Sequence, residues 1–504
     1  MNAPNVLLAL IGMIFQNVLM LGTGIVVART IGATDYGTTN LVRNILQFTL
    51  LLSPLGLDIA LQKHVGMSQH VAKTRVDVNR LRLVVFGISC AAALAIVVLI
   101  APLLNDKVYH VRNFVLYMAI TFLALPAMTD INILGGVFRA RLNPAPQVIS
   151  NYYVQPVSRL ALLIVLLIAG LGLKGVLIAN TFGAIAGFAL LNAYFILYQD
   201  RSVSRIDPGE RQGWQESLAI LKPSLWMAFS VFFYSTIRNV DILILGSARP
   251  MKEVGEYGSL STIAQLVQFF PNALALTLGP TVARLFAEND IAGLKRNMDE
   301  YTRRAALLGA PLFGAAAAWG GVLDILFGRS FHYSPSVALI LALGYLVSGV
   351  FGPLGFGLSM TGRHRTETMI LIAGNLFVGG ACLLTSRPFG QLGVAASVLA
   401  GYFLINGFRY FAVYRTLRIV PGNLRDFLPP VICLVMGYGL ESLAFAIFPR
   451  NPVTMIGSGL VYGVAILAVY WVVLLTRDEK QWVSSTVTGR IGVLRRLPVI
   501  RSFL

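Results

Sequence analysis

Four arginines stand inside mainly apolar stretches of this sequence, where a charge is costly, and three of them are candidates for a binding site. These three are Arg43, Arg159 and Arg238. A charged group in the middle of a membrane helix costs about 2.5–3.5 kcal/mol, so it normally faces a wet cavity or a partner. A guanidinium presents a planar fork of N–H donors that matches phosphate oxygens. We therefore predict that these arginines bind an anionic group inside a membrane.

Amide side chains accompany the arginines in both halves of the sequence. A carboxamide donates and accepts hydrogen bonds at once, which is what recognition of sugar hydroxyls requires. Because the amides occur on the first, second and eighth apolar stretches, we expect them to line a polar cavity between the halves. The candidates are Gln16, Asn17, Asn44, Gln47, Gln265, Gln268 and Asn272.

Four acids also lie in apolar stretches. Asp241 follows Arg238 by three positions, a spacing at which two side chains meet on one helix face. This pair can neutralise itself or act together in a wet cavity. Asp58, Asp130 and Glu441 are the candidates for coupling to a cation, although the positions of Asp58 and Asp130 also suit the membrane boundary.

Motifs for catalysis and for metal binding are missing from the sequence. It contains no GxxxxGK[ST] phosphate loop and no HExxH pair, so ATP hydrolysis and zinc catalysis are unsupported. All five histidines fall in predicted loops, and the three cysteines lie in apolar stretches without CxxC spacing. All predicted outer loops are too short to carry the catalytic residues of a membrane glycosyltransferase. We expect no enzymatic activity, no cofactor and no metal.

The composition places these residues in a membrane protein. Hydrophobic residues make up 56% of the 504 residues and charged residues only 12%, whereas soluble domains are about a quarter charged. Apolar stretches of about 20 residues recur, the length that crosses a bilayer as a helix. We predict an all-α polytopic membrane protein with about fourteen transmembrane helices, at 5–28, 41–62, 83–104, 113–135, 147–170, 175–197, 222–247, 257–280, 305–327, 335–360, 366–385, 390–412, 427–448 and 453–475.

Basic residues are distributed unevenly between the two sides of these spans. With the N-terminus inside, 27 of the 40 Lys and Arg residues fall on the cytoplasmic side, 9 on the opposite side and 4 within spans. Both termini are therefore predicted to be cytoplasmic. Arg29 is a local exception on the outer side, and Arg409 is expected to snorkel to the inner surface. The cytoplasmic excess of Lys and Arg, which orients the spans in the membrane, explains the net charge of +18. Nucleic acid is therefore not an expected partner.

A short acidic-Tyr-Gly motif occurs twice, after the first and the seventh predicted spans. Asp35–Gly37 and Glu256–Gly258 are 221 positions apart, and basic residues in the following loops recur at the same offset. Six spans separate the copies, so the halves run in the same direction, as in parallel-repeat transporters. Each copy is predicted to form a turn and a helix cap. The predicted parts are an N-lobe at 1–200, a linker at 201–221, a C-lobe at 222–425, two helices at 426–476 and a basic cytoplasmic tail at 477–504.

The stretches around both motifs resemble the signatures of Wzx-type polysaccharide flippases. The resemblance lies in residues 28–37 (ARTIGATDYG), 241–246 (DILILG) and 253–258 (EVGEYG). It implies the MATE-like fold of the multidrug/oligosaccharidyl-lipid/polysaccharide (MOP) superfamily, with two six-helix lobes and two further helices. It also implies a transporter of the bacterial inner membrane that flips an undecaprenyl-diphosphate-linked oligosaccharide by alternating access during O-antigen or exopolysaccharide biosynthesis.

The resemblance extends to site residues and partners. It implies that cationic cavity residues meet the diphosphate or acidic sugars, for which Arg43, Arg159 and Arg238 are the candidates here. Glycosyltransferases and a polysaccharide polymerase are the implied partners. Lipid II flippases and cation-coupled multidrug exporters of the same superfamily are the alternatives. Lipid II flippases carry paired basic residues in their first two spans, and this sequence matches that pattern only with Arg43. In a multidrug exporter, the acids that couple to a cation would be Asp58 and Asp130.

Overall fold

The protein is a bundle of helices in the computed structural model. The structure describes residues 3–58, 60–61, 71–141, 143–197, 232–233, 235–236, 239–419, 422, 424–474 and 480. Within these ranges every regular element is a helix and there is no strand. Backbone groups in a bilayer must satisfy one another, which a helix does within one segment. The predicted all-α class is confirmed.

Most of the described helices overlap predicted spans, whereas the predicted span at 222–247 lies partly outside the described residues. Nine segments of the described residues are long and apolar enough to cross a membrane, and the protein is a multi-pass membrane protein. The total of fourteen spans stays a prediction. The α-helices of nine or more residues are Ala3–Leu52, Val71–Ala95, Phe114–Phe122, Ala124–Ala140, Gln155–Ile168, Gly172–Leu197, Val240–Ala248, Met251–Ala264, Phe269–Ala287, Ile291–Ala318, Pro335–Val350, Gly352–Met360, His364–Leu417, Leu428–Ile447 and Pro452–Val469.

The helical segment Ala3–Leu52 folds back on itself and is called here the first hairpin. Gly32 breaks it with φ 78° and ψ 172°, a conformation that a residue with a Cβ disfavours. In a straight helix the Cα atoms of Gly24 and Tyr36 would be about 18 Å apart. Instead, the Tyr36 hydroxyl lies 3.5 Å from where a Cβ on Gly24 would be. The chain therefore reverses at Gly32, and this end of the bundle is called the Gly32 end.

The segment His364–Leu417 forms the second hairpin in the same way. Gly390 breaks it with φ 55° and ψ −134°. The hydroxyls of Thr385 and Ser397 are 2.9 Å apart, although twelve residues of straight helix would separate them by about 18 Å. A Cβ on Gly390 would lie 3.0 Å from a carboxylate oxygen of Glu253. The second turn therefore lies beside the start of helix Met251–Ala264.

Neither copy of the acidic-Tyr-Gly motif forms a turn, so that prediction was wrong. Residues 35–37 are helical in the second limb of the first hairpin, and residues 256–258 lie inside helix Met251–Ala264. A single glycine at position 32 reverses the chain, which leaves the residues after it free to continue as helix. The second copy is preceded by Pro250, whose extended backbone starts its helix. Both motif tyrosines, Tyr36 and Tyr257, are buried.

Three clusters of buried apolar side chains hold the bundle together. Two of them consist of residues from the N-terminal half. The largest is built mainly from the C-terminal half, but it also contains Val27, Ala28, Ala33 and Tyr36 of the first hairpin. The two halves therefore share one core at the Gly32 end. Large apolar side chains also cover the outside of the bundle, with Ile168 82% exposed, as expected for contact with lipid.

Candidate functional site

A cavity of about 190 Å³ lies within the N-terminal half. Residues of both limbs of the first hairpin, of Phe114–Ala140 and of helices Gln155–Ile168 and Gly172–Leu197 form its wall. This volume equals that of roughly six water molecules. It is smaller than the roughly 300–1,000 Å³ of pockets that bind drug-sized ligands. It therefore fits one small polar group. The polar side chains of the wall are Gln16, Arg43, Gln47, Thr121, Gln155, Arg159, Asn180 and Thr181.

Two of the three predicted arginines meet in this cavity. The Arg43 side chain comes from the first hairpin and is exposed, while Arg159 comes from helix Gln155–Ile168 and is half-buried. Their guanidiniums are within electrostatic reach of each other. Among the described residues, neither forms an ion pair with a carboxylate. Like charges held together repel each other, so the cavity favours an anion. Arg238 lies outside the described residues.

Local helix geometry holds Arg159 at the cavity wall. Directly before its helix, Ser150–Val154 forms a π-helical turn. Such a turn inserts one extra residue and re-aims the residues that follow, and it is frequent at functional sites. On the facing helix, a Cβ on Gly183 would lie 2.8 Å from the Gln155 carbonyl oxygen and 3.0 Å from Arg159 Cβ. Because Gly183 has no side chain, the two helices approach each other closely at this point. The Arg159 side chain is thereby held at the cavity wall.

The predicted amides of the first hairpin divide into two kinds. Gln16 and Gln47 line the cavity beside Arg43. Asn17 and Asn44 instead donate to backbone carbonyls of their own helix four positions earlier, each at 2.8 Å. This local bond competes with outward contacts for short polar side chains. Two of these four amides are therefore available to a ligand in the cavity.

Two amides of the cavity escaped the sequence analysis. Gln155 and Asn180 both belong to its wall. Gln155 precedes Arg159 by four positions, a spacing that puts both side chains on one helix face, so the sequence carried a signal for it. Asn180 had no comparable signal, because only the packing of its helix against Gln155–Ile168 brings it to the cavity.

The amides predicted in the C-terminal half do not line this cavity. Gln265 donates to the Tyr345 hydroxyl at 3.2 Å, and the buried Gln268 donates to the Tyr345 backbone carbonyl at 3.2 Å. Asn272 is exposed. The two glutamines thus attach their segment to helix Pro335–Val350. Among the described residues, the cavity with Arg43 and Arg159 is lined by side chains of the N-terminal half.

Asp241 is buried beside the second motif. Its carboxylate accepts a hydrogen bond from the Tyr257 hydroxyl at 2.8 Å and one from the backbone N–H of Ile242 at 2.8 Å. Its predicted partner Arg238 lies outside the described residues. The tyrosine of the second motif therefore donates a hydrogen bond to a buried carboxylate of the preceding helix. Asp241 does not face the arginine cavity.

Asp130 forms a buried ion pair. Arg82 donates to its two carboxylate oxygens at 2.8 Å and 2.7 Å, and Asn192 donates to it at 3.0 Å. The Arg82 and Asp130 side chains are only 12% and 4% exposed. These bonds connect three helices that are distant in sequence. Asp130 thus joins helices of the N-terminal half and does not line the cavity.

The remaining coupling candidates also lie apart from the cavity wall. Asp58 is half-buried and within electrostatic reach of Arg139. Glu441 is half-buried and within electrostatic reach of Arg450. In the part of the chain that the structure describes, no group of three His, Cys, Asp or Glu side chains could hold a metal ion.

Arg409 does not snorkel to the surface, contrary to the prediction. It is 7% exposed, and its Nε donates to the two carboxylate oxygens of Glu367 at 3.0 Å and 3.1 Å. Its Nη2 also contacts Glu367. A carboxylate on the other limb of the second hairpin neutralises the charge inside the bundle, so the arginine does not need to reach water.

The helices that carry the two copies of the acidic-Tyr-Gly motif pack directly against each other at the Gly32 end. A Cβ on Gly37 would lie 1.8 Å from the Met251 carbonyl oxygen, and a Cβ on Gly258 would lie 2.4 Å from Asn40 Nδ2. Small residues allow membrane helices to approach to backbone contact. We call this contact between residues 33–40 and 251–258 the seam. Each copy supplies a glycine to it.

The sequence and the fold are similar to known proteins. The profile of the family described as Polysaccharide biosynthesis protein matches residues 3–286. A probable low-salt glycan biosynthesis flippase, Agl15 of Haloferax volcanii, is 24% identical over 201 residues, which are 37% of this chain and 42% of that protein. The similarity to this relative thus spans less than half of its length.

Solved structures show the same architecture. A lipid II flippase, MurJ, in an inward closed conformation has a TM-score of 0.70 and 11% identity, over 92% of this chain and 99% of that chain. An inward-facing multidrug resistance MATE family transporter of the MOP superfamily has a TM-score of 0.62 and 14% identity, over 87% and 98%. The expected MOP-type fold is confirmed. Since the family profile covers more than half of the 504 residues, this chain belongs to the polysaccharide biosynthesis protein family.

Proposed function

We propose that this protein is a flippase for polysaccharide biosynthesis in the bacterial inner membrane. It moves an undecaprenyl-diphosphate-linked oligosaccharide from the cytoplasmic to the outer leaflet. The observation that carries this proposal is the cavity with Arg43 and Arg159, which have no carboxylate partner among the described residues. The family of the chain and the flippase among its relatives support the same conclusion.

The diphosphate linkage is the part of this substrate that suits the cavity. Arginine binds phosphate through two parallel charge-assisted hydrogen bonds, so Arg43 and Arg159 together match the oxygens of a diphosphate. Gln16, Gln47 and Gln155 offer donors and acceptors to the first sugar hydroxyls. A cavity of about 190 Å³ takes the linkage but not a whole oligosaccharide. The further sugars and the polyprenyl chain therefore lie outside it.

Transport by alternating access needs a driving force, and the membrane potential can supply it. Moving one charge through 100 mV is worth about 2.3 kcal/mol, so two uncompensated negative charges gain about 4.6 kcal/mol on moving outward. The distribution of basic residues predicts that both termini are cytoplasmic, and in this orientation the Gly32 end lies on the outer side. In this arrangement residues 1–200 and 222–425 form the two lobes that rock around the substrate.

Two functions of related transporters compete with this proposal. A lipid II flippase moves another polyprenyl-diphosphate-linked sugar, so the same cavity would serve it. Complementation of cells depleted of their lipid II flippase separates these two substrates. A multidrug exporter that carries cations fits less well, because two like charges at Arg43 and Arg159 repel a cationic drug.

The test is the replacement of Arg43 and Arg159 by alanine, singly and together. We expect each variant to insert normally, to bind a short-chain polyprenyl diphosphate at least tenfold more weakly, and to stop polymer export in cells that lack the wild-type gene. The lipid-linked oligosaccharide should accumulate in the inner leaflet. Arg43→Lys and Arg159→Lys should recover part of the binding, since lysine keeps the charge but loses the fork.

Arg112→Ala is the matched control, because Arg112 is exposed and does not line the cavity. It should bind and export like the wild type. Normal export by the Arg43→Ala/Arg159→Ala double variant would refute the assignment of the cavity. Normal surface polysaccharide together with increased sensitivity to cationic drugs, on deletion of the gene, would favour the exporter.

A further inference from the structure

We propose that Thr121 and Asn180 bind the second phosphate of the linkage and so make the cavity selective for a diphosphate over a monophosphate. Thr121 lies on helix Phe114–Phe122 and Asn180 on helix Gly172–Leu197, and both side chains line the cavity. We call these two side chains the neutral pair. This inference rests on the proposed function and deepens it, because it assigns residues that tell two classes of polyprenyl-linked sugar apart.

The neutral pair has hydrogen-bonding capacity that the described part of the chain does not use. Thr121 is only 5% exposed, and its Oγ1 has no hydrogen-bond partner there. Asn180 is half-buried, and its side-chain amide also forms no hydrogen bond with the described residues. Leaving a buried hydroxyl unpaired is costly. A ligand in the cavity can supply the missing partner.

A hydrogen bond between their helices brings the neutral pair to one level of the bundle. The Thr181 hydroxyl donates to the Ile120 carbonyl at 2.9 Å. Asn180 directly precedes Thr181 in the sequence, and Thr121 directly follows Ile120. The two side chains of the neutral pair therefore lie beside this contact, and a single group in the cavity can reach both.

Glycine contacts place Asn180 relative to Arg159. A Cβ on Gly183 would lie 3.0 Å from Arg159 Cβ, and a Cβ on Gly187 would lie 2.4 Å from Gln155 Cγ. The two helices therefore run in opposite directions, with Gly183 level with Arg159. Asn180 precedes Gly183 by three residues, or about 4.5 Å of helix, on the side of Arg159 away from Gln155. Along its length the cavity thus presents a glutamine, an arginine and the neutral pair.

This order matches the covalent order of the substrate head group. In the proposed function Gln155 faces the first sugar, and Arg159 faces the linkage. The next group along the substrate is the second phosphate, and the next polar groups along the cavity are the neutral pair. The head group is therefore bound with its sugar on the Gln155 side and its polyprenyl phosphate beside Thr121 and Asn180.

The charges of the cavity also match two phosphates. Arg43 and Arg159 carry two positive charges, and a diphosphate diester carries two negative charges, so the second phosphate needs donors and not a third cation. O–H and N–H donors form charge-assisted hydrogen bonds to phosphate, which are stronger than bonds between neutral groups. A monophosphate diester carries one negative charge. It would leave one arginine uncompensated and the neutral pair without a partner.

The test is the binding of two probes to the purified full chain, a short-chain polyprenyl diphosphate and a polyprenyl monophosphate, each esterified to one glucose. We expect the wild type to prefer the diphosphate by about a hundredfold, since each hydrogen bond to a charged group contributes about tenfold. Thr121→Val and Asn180→Leu should each weaken diphosphate binding about tenfold and change monophosphate binding by less than about twofold. The double variant should lose the preference. Thr121→Ser keeps the hydroxyl and should bind both probes like the wild type.

Thr49→Val is the matched control. The Thr49 hydroxyl donates to the Ile45 carbonyl of its own helix at 2.9 Å, and Thr49 does not line the cavity. This variant should keep both affinities and polymer export. Monophosphate binding by the Thr121→Val/Asn180→Leu variant shows that its cavity is folded.

Three results would overturn the role of the neutral pair while the proposed function stands. They are equal affinity of the wild type for the two probes, an unchanged preference in the double variant, and an equal loss of affinity for both probes. If the wild type binds neither probe, the proposed substrate is wrong and the role of the neutral pair falls with it.

Discussion

Replacing Asp130 by asparagine should destabilise the protein without touching the cavity. The carboxylate accepts two bonds from Arg82 and one from Asn192, and both members of the ion pair are nearly buried. Asparagine keeps the volume but can accept only part of these bonds, and it leaves the Arg82 guanidinium buried without its counter-charge. Each lost bond to a charged group is worth about 1.5–3 kcal/mol.

The expected magnitude follows from these contacts. Loss of one partner of a buried ion pair costs about 3–5 kcal/mol, whereas its replacement by apolar residues of similar size is often neutral or stabilising. The free energy of unfolding of Asp130→Asn should therefore fall by about 3–5 kcal/mol. The double variant Arg82→Met/Asp130→Leu should recover most of this loss. Equilibrium unfolding in mixed detergent–SDS micelles measures both values.

The double variant separates a structural role from cation coupling. If Asp130 only joins helices, the folded Arg82→Met/Asp130→Leu protein should still export polymer. Loss of export by a folded double variant would refute the structural reading and would support Asp130 as a coupling acid. Arg284→Ala is the control for stability, because its pair with Glu288 is 64% and 53% exposed. Such surface pairs are worth about 0–1 kcal/mol.

The other two predictions concern the seam and use one assay. Gly→Ala inside a helix normally stabilises a protein by about 0.5–1 kcal/mol. Gly37→Ala should instead separate the two helices of the seam, because the new Cβ would lie 1.8 Å from a carbonyl oxygen. A water-soluble maleimide should therefore label an Ala33→Cys reporter more strongly in this variant. Gly22→Ala, with open space around it, is the control, and equal labelling of the two would contradict the close contact. Arg29→Gln should raise the same labelling severalfold by removing charge-assisted bonds to two carbonyls. Unchanged labelling would mean that Arg29 does not hold the seam.

Helical spans were predictable because the bilayer leaves the backbone few choices. The predicted span at 335–360 agrees with the membrane segment Pro335–Met360. The predicted boundary at 390 falls on the glycine that breaks the second hairpin. In the first hairpin, the second limb begins directly after Gly32 and before the predicted start at 41. Polar residues such as Thr34 and Asp35 obscure the start of that helix, since they lower the apolar character on which the prediction depends.

Part of the candidate site was also predictable from single residues. Gln16, Arg43, Gln47 and Arg159 stood out because polar groups in apolar stretches are expensive and therefore face water or partners, and all four line the cavity. The same reasoning could not tell a cavity residue from one half of an ion pair. Its failure at Arg409 shows this, because the neutralising Glu367 is 42 positions away in sequence and meets it only after the hairpin has formed.

The sequence by itself determined that this chain is an all-helical membrane protein with a duplicated motif and rare intramembrane charges, because these properties depend on composition and local spacing. Only the tertiary structure decided which of those charges pair and which share a cavity. It also decided that the helices carrying the two motifs meet. A Cβ on Gly37 would lie 1.8 Å from the Met251 carbonyl oxygen, and this close approach depends on how two helices more than 200 residues apart cross. Apolar stretches encode where helices lie in a bilayer, and the shapes of facing helix surfaces encode how they pack.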